Sequence, residues 1–499
     1  MHYNHKLLAV FFLLFIPGLD ACKKLVSVPE PINSITTTEV FSTDAQANSA
    51  IAGIYTEMIN GSTGATGSNA GAGFSTFSAG LTTILAGLSS DELINNQGSE
   101  SVGLELYNTN HLLYNDGEVN ALWTPAYSYI YGANSIMGGI AASTSSLLSD
   151  SVRTELTAEA KFIRAFCYFY LTNLFGDVPL VLTINFNQTA GMASTPQAQV
   201  YQQIIQDLKD AQAALPGDYS VGLGERIRPN QWAATALLAR AYLYTGDYTD
   251  AATQASAVIG NTAEYSLVSN LNGVFLTNST EAIWQLQQNT SAPGVGTATP
   301  EGILFLPNPL NTGYPDYILS PQLLGAFEPG DQRRLSWVDS TNNSYNISTS
   351  TSLYYFPFKY KTGSYNYSVG GTATEYYMVL RLAEQYLIRA EAEANGAGGG
   401  TSAAIADLNM IRGRAGLPAL SASLTPAQVI TAVAHERQTE LFAEWGHRWL
   451  DLKRTGQADA VLSVIPLKQP WLGAYQLLYP IPYTETVDDP NLVQNPGYN

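Results

Sequence analysis

The residues best suited to chemistry lie near the C-terminus. His435-Glu436 begins like a zinc-protease motif, but that motif needs a second histidine four residues after the first, and Thr439 stands there. Glu436, Glu440 and Glu444 recur every fourth residue, so one helix face carries three carboxylates, with Arg437 and Arg448 near. Like charges at that spacing repel mildly unless cations bridge them. Two readings follow: an acidic catalytic site, or a structural ion-pair network joining this helix to Asp451, Arg454 and Arg164. No G-x-S-x-G, P-loop or complete G-x-G-x-x-G occurs, and Gly396–Gly400 follows a helix, so it does not read as a phosphate cradle. Only five histidines are present, two of them His2 and His5, and none form a transition-metal cluster. No cofactor is expected. A calcium site of Asp and carbonyl oxygens stays open, as does a pair of carboxylates converging in space on a glycoside.

Rings are the more abundant resource. The chain of 499 residues holds 30 Tyr, 7 Trp and 17 Phe. Sugars present C–H faces that stack on flat rings, while amides and Arg read hydroxyls. Net charge is -18, which argues against a nucleic-acid partner, because phosphate binding needs clustered Lys and Arg. Apolar residues make up 45% and charged residues 13%, enough for a large core and unlike a disordered chain.

The elements that must position these residues are mostly helical. Ala158–Leu182 has Phe162, Ala165, Phe166, Phe169 and Tyr170 at helical spacing, then Gly176, Asp177 and Pro179 to stop it. This helix should be central and buried. Cys167 within it reads as a small buried hydrophobe. Further helices are predicted over 44–59, 122–140, 197–215, 229–245 with Pro229 at its start, 250–259, 376–394, 403–415 and 426–445, the last capped by Thr425. The pair 233–259 looks like a tetratricopeptide unit, and 376–415 forms a second repeat-like hairpin; such units must stack to bury their faces. From 264 to 373 periodicity fades and Gly, Pro, Asn and Tyr dominate, predicting an irregular insertion. Within it 282–286 and 354–360 read as strands, with Trp284 in the core.

At the N-terminus His2, His5 and Lys6 precede the apolar run Leu7–Ile16, too short to span a bilayer. Leu19-Asp20-Ala21-Cys22 then looks like a lipobox, with Asp20 a departure from its usual small, uncharged residue. Cleavage before Cys22 would leave a lipidated cysteine, with 1–21 as signal peptide and 22–40 as tether. Acyl chains anchor through buried CH₂ groups and leave the folded part in water.

The run AEAKFIRAFCYFYLTNLFGDVPL resembles a signature segment of the SusD/RagB family, outer-membrane lipoproteins of Bacteroidetes. Near the end, the E-R-x-x-E-L-x-x-E stretch from Glu436 and the Pro-Ile-Pro and Gln-Asn-Pro-Gly-Tyr stretches resemble the same family. The resemblance implies an all-α fold, an α/α superhelix of tetratricopeptide-like hairpins mainly over 41–59, 119–260 and 376–455, with the loop-rich insertion 264–373, as one domain over 41–499. It implies that the Glu436–Glu444 region is scaffold. It also implies a non-enzymatic role: binding a nutrient, most readily an oligosaccharide, and delivering it to a TonB-dependent SusC-like channel, on the exterior of the outer membrane and held there by lipid alone. Family ligand sites use rings on the loops after the first helix and in the middle insertion. Here those loops hold Phe74, Phe77, Asn95, Asn96, Tyr107, Asn108, Phe305, Asn308, Tyr314 and Tyr317. The rival functions are a glycan-cleaving enzyme on a helical scaffold and a protein-interaction scaffold.

Overall fold

The structure is a computed structural model that describes residues 40–61, 76–97, 102–308, 313–342 and 353–498. Cys22, the signal segment 1–21, the tether up to residue 39, and Phe74 lie outside the described residues.

The first half runs α1 (Asp44–Asn60), α2 (Thr82–Ser89), β1 (Leu93–Asn95), α3 (Val102–Thr109), α4 (Glu118–Ala142), α5 (Asp150–Phe175), α6 (Gln197–Ala214), α7 (Gln231–Thr245) and α8 (Tyr248–Gly260). The insertion carries β2 (Ala282–Leu286), α9 (Pro300–Phe305), β3 (Tyr317–Leu319), β4 (Val338–Thr341) and β5 (Tyr354–Pro357), and β6 (Tyr377–Arg381) follows it. The scaffold then resumes as α10 (Leu382–Ala394), α11 (Gly400–Arg414), α12 (Pro426–Glu440) and α13 (His447–Arg454), with the short α14 (Tyr483–Asp488) near the end; several one- or two-turn helices fill the connections. The fold is all-α in class, and the strands among the described residues pair as the two-stranded antiparallel ribbons β1–β3, β2–β6 and β4–β5.

Consecutive helices stack. α4 packs on α5, α5 on α6, α6 on α7, α7 on α8, and α10 on α11 and α12. α8 also packs directly on α10, so the array is continuous across the insertion.

α5 is the spine. Ser149 caps its start, its Oγ accepting from Val152 N at 3.4 Å, and Gly176 closes its end at φ 80°, donating to Thr172 O at 3.0 Å. From Ala158 nearly every side chain is buried on all sides. Phe166 touches Tyr170 at 5.1 Å, Trp284 at 5.3 Å and Trp445 at 5.3 Å between ring centroids. Trp284 is buried in β2, in the core where the sequence reading placed it. Charges on a buried helix must be paired. Glu159 receives Arg228 Nε at 2.8 Å and Tyr55 Oη at 2.6 Å, tying α5 to α1. Arg164 binds Asp207 of α6 twice at 2.8 Å and Asn134 of α4 at 2.7 Å. The expected link from Arg164 to the C-terminal glutamates is therefore corrected: its partners are the helices on either side.

Several boundaries shift by a few residues from the sequence expectation, the strand expected over 354–360 ending at Pro357, and three of the shifts have a cause visible in the packing. α7 is capped by Asn230, whose Oδ1 accepts from Trp232 N and Ala233 N at 3.0 Å each, so Pro229 precedes the helix. The helix expected from residue 376 starts instead at Leu382, because Tyr377–Arg381 pairs with Ala282–Leu286. All five residues of each strand are buried, so the run carries no period to distinguish strand from helix. α12, with its Thr425–Gln428 capping box, ends at Glu440 rather than 445. Beyond it Ala443 and Trp445 adopt φ 50° and 47°. That turn seats the Trp445 ring on Tyr377 at 5.1 Å and lets Trp445 Nε1 donate to Met378 O at 2.8 Å. Burial of the indole outweighs one more helical turn. Gly446 follows at φ 72°, where an added Cβ would lie 2.4 Å from Ala86 Cβ. Gly446→Ala combines a left-handed backbone with overpacking and is expected to destabilise the fold by about 2–4 kcal/mol; an unchanged urea midpoint would refute this account of the turn.

Candidate functional site

The ribbon β1–β3 joins the two loop regions singled out in the sequence. Leu93 pairs with Leu319, Ile94 with Ile318 and Asn95 with Tyr317. The ladder continues outward: Asn96 N donates to Asp316 O and Asn96 Nδ2 to Pro315 O, both at 2.8 Å. At the inner end Ser320 N donates to Glu92 O at 2.8 Å, and Ser320 Oγ donates to Asp91 O. Two short strands, far apart in sequence, thus place 95–97 against 314–317.

One carboxylate organises the α3 side. Glu105 accepts from Asn95 Nδ2 at 3.2 Å and from Asn108 Nδ2 at 3.1 Å, while Asn108 Oδ1 accepts from Asn95 N at 3.3 Å. Asn95 Oδ1 accepts from Gln97 N at 3.1 Å. Asn95 and Asn108 are consequently buried supports, whereas Asn96, Gln97, Asn308, Tyr314 and Asp316 sit half-buried at the rim. Gly313 N donates to Asn308 O at 2.9 Å, holding these two residues near each other. Burial raises the Asp316 carboxyl, with the Gln97 side chain opposing. Glu118, at the start of α4, is raised by burial and by Asp116, and its charge acts on the Tyr317 hydroxyl. The rim therefore offers amide, hydroxyl and carboxyl groups partly shielded from water, suited to reading hydroxyls on a polar ligand.

The rings behave differently from the expectation. Phe77 is buried against Tyr129, Phe166 and Tyr170. Tyr107 packs edge-on to Tyr479 at 5.2 Å, and Phe305 edge-on to Tyr317 at 6.1 Å. Each of these four is buried, so none turns a face to solvent. The reason lies in the stretch 76–110: it contains a fully buried helix, α2, and the rings beside it fill the core. Sequence reasoning missed the exposed pair Tyr114 and Tyr483, whose rings meet at 5.4 Å. The Asn115-Asp116-Gly117 turn and the proline before Tyr483 are the only sequence signals that could have marked them as surface rings.

At the buried end of the ribbon, Glu92 has its carboxyl pushed up to about 8, by burial first and then by Asp91, with Arg448 opposing. Raised in the fold, it binds a proton that the unfolded chain has released above its ordinary value of 4.5. Its stabilising protonation is complete at low pH and lost as pH climbs towards about 8. Glu92→Gln is expected to flatten the decline in stability between those values, measured by urea midpoints across pH. A slope identical to that of the parent would contradict it.

The acidic triplet is closed to solvent and fully paired. Glu440 accepts from Arg381 Nη1 at 2.6 Å and Arg333 Nη1 at 3.3 Å, and also from Arg414. Glu436 accepts from Arg333 Nη1 at 2.9 Å and Arg412 Nη1 at 2.7 Å. Glu444 accepts from Arg381 Nε at 2.8 Å and from Lys359. Burial alone would raise Glu440; Arg414, Arg381 and Arg333 overcome it and hold its carboxyl below the usual range. A base so held has little appetite for protons. Asp451 joins Arg437 at 2.6 Å and Arg454 at 2.8 Å, a separate cluster that continues to Glu391. Among the described residues, the one grouping with metal-ligand geometry is Glu328, His435 and Glu436. Arg412 already bridges its two carboxylates at 2.5 Å and 2.7 Å, occupying the place of a cation.

Residues 326–498 match the SusD family model, and residues 76–243 match a second model described as starch-binding associating with outer membrane. The chain belongs to the SusD family. It is 29% identical to SusD-like protein P2 of Formosa agariphila across 77% of this chain and 81% of that relative. A solved laminarin-binding SusD-like protein superposes with a TM-score of 0.74 at 25% identity, covering 92% of this chain and 100% of that one. Surface glycan-binding protein A from Bacteroides thetaiotaomicron, in complex with laminarihexaose, gives a TM-score of 0.74 at 19% identity, covering 91% and 99%. The SusD-type scaffold thus accounts for the stacked helices. No helix among the described residues is long and apolar enough to cross a membrane.

Proposed function

We propose that this chain captures an oligosaccharide at the rim of the β1–β3 ribbon and passes it intact to a TonB-dependent SusC-like channel, from the exterior face of the outer membrane, where lipid on Cys22 holds it. The observation that carries this reading is the pairing of 93–95 with 317–319, which gathers Asn96, Gln97, Asn308, Tyr314 and Asp316 onto one half-buried edge. Structural similarity to a laminarin-binding protein supports a carbohydrate ligand. Rigid helices behind a polar loop edge favour capture, because little ordering is needed on binding.

An enzymatic rival draws on one observation: Asp316 and Glu118 are both raised by burial and both act on Tyr317. Raised carboxyls can serve as general acids. Titration calorimetry with laminarihexaose, beside an assay for new reducing ends, separates the two. Binding without turnover, weakened ~10-fold or more by Asn96→Ala with Asp316→Ala, is the expected result, equivalent to losing one or two hydrogen bonds to ligand. Release of shorter sugars, abolished by Asp316→Asn, would overturn it. Lipidation is checked by labelling the cell-expressed chain with an alkyne fatty acid; a label that survives Cys22→Ala would reject the anchor.

A further inference from the structure

The surface beside the ribbon is short of positive charge. Between Lys24 and Arg153 the sequence has no lysine or arginine, and from Trp471 to the end it has none either. Those stretches supply β1, α3, the connection 110–117, the start of α4, and α14. On them Tyr114 and Tyr483 are 43% and 48% exposed. Their rings stand 76° apart with centroids 5.4 Å from each other, forming an open corner. Thr484 Oγ1 donates to Asn120 Oδ1 at 3.2 Å, which fixes α14 beside the first turn of α4, two residues from Glu118. The Glu118 side chain lies against Gly103 of α3, where an added Cβ would sit 3.5 Å from its Cγ and Oε1, so the corner borders the helix whose Glu105 and Asn108 support the rim. Leu113 and Val487 add exposed apolar area next to the corner, and Glu485, Asp488 and Asp489 border it.

The geometry points to a second stacking subsite at Tyr114 and Tyr483, taking uncharged pyranose units of a glycan chain whose first units lie at the ribbon rim. This rests on the glycan reading of that rim. A sugar ring laid on one tyrosine buries its C–H face, the perpendicular ring closes its edge, and both phenol hydroxyls remain free to meet sugar hydroxyls. Two separated subsites on one rigid frame give affinity that grows with chain length, since the second contact is made within an already bound molecule. The acidic border sets the class. A uronate or sulfate brought among Glu118, Glu485, Asp488 and Asp489, with no lysine or arginine on the same stretches, meets only like charge, about 1 kcal/mol per pair at 4 Å in water.

The test is calorimetry on the full chain with a neutral glucose disaccharide, the corresponding hexaose and a hexameric uronate. For Tyr114→Ala with Tyr483→Ala, hexaose affinity should fall about tenfold while disaccharide affinity holds. Tyr114→Phe with Tyr483→Phe, which keeps both rings, should retain most of the hexaose affinity and separates loss of stacking from loss of fold. The uronate should bind at least tenfold more weakly than the hexaose. Hexaose affinity that is untouched by the alanine pair but lowered by Asn96→Ala with Asp316→Ala would reject the subsite and leave the rim reading standing. Tighter binding of the uronate would reject the neutral class. If the parent binds none of the three, both readings fall.

Discussion

Arg381→Met is expected to bring the protein close to unfolding. Arg381 is buried at the end of β6, and its guanidinium serves Glu281 at 3.0 Å, Glu440 at 2.6 Å and Glu444 at 2.8 Å. Removing it strands three carboxylates away from water, with Arg414, Arg333 and Lys359 left to share them. Breaking a buried pair on one side costs about 3–5 kcal/mol, because the orphaned charge must be desolvated without return. Domain stabilities are about 5–15 kcal/mol, so one substitution removes a large share. The measurements are soluble yield and the urea midpoint. Adding Glu440→Gln and Glu444→Gln to Arg381→Met should recover part of the loss, since amides tolerate burial better than unpaired carboxylates. A single variant as stable as the parent would mean that the network contributes nothing.

Phe166→Ala should approach the same size by a different route. Its ring lies among Phe77, Tyr170, Trp284 and Trp445, contributed by the segment before α2, α5 itself, the insertion and the turn after α12. Truncation leaves a cavity walled by rigid aromatics that cannot collapse, and large-to-small changes of this kind cost about 3–5 kcal/mol. Phe186, 76% exposed, is the control; Phe186→Ala should stay within about 0.5 kcal/mol of the parent. Equal effects at the two positions would show that the convergence of rings on α5 carries no special weight.

The scaffold could be read from sequence where the local signals were strong. α5 announced itself through its ring spacing and the Gly176-Asp177-Pro179 stop, α12 through Thr425-Pro426, and the pairs α7–α8 and α10–α11 through small residues and Gly turns. What escaped was decided by tertiary partners. Tyr377–Arg381 has the composition of a buried helix and becomes a strand only because Ala282–Leu286 lies beside it. α12 stops early so that Trp445 can reach Tyr377. The two loop regions singled out in the sequence do meet in the β1–β3 ribbon, but which ring faces water was not written locally: Phe77 and Tyr107 are core, while Tyr114 and Tyr483 are surface. Exposure is a property of the packed whole, and single rings in Gly- and Asn-rich loops carry no period from which to infer it.

The insertion leaves and returns through the β2–β6 ribbon, and α8 meets α10 directly beside it. Both ends of the intervening chain are thus clasped at one point. For a span tied in this way, the entropy of closure grows only with the logarithm of its length, about 0.6 kcal/mol for each doubling. Segments can lengthen or shorten outside the clasp while the register of the helical array stays where it is. Loops hung on this clasp can therefore change with almost no thermodynamic signal reaching the frame that carries them.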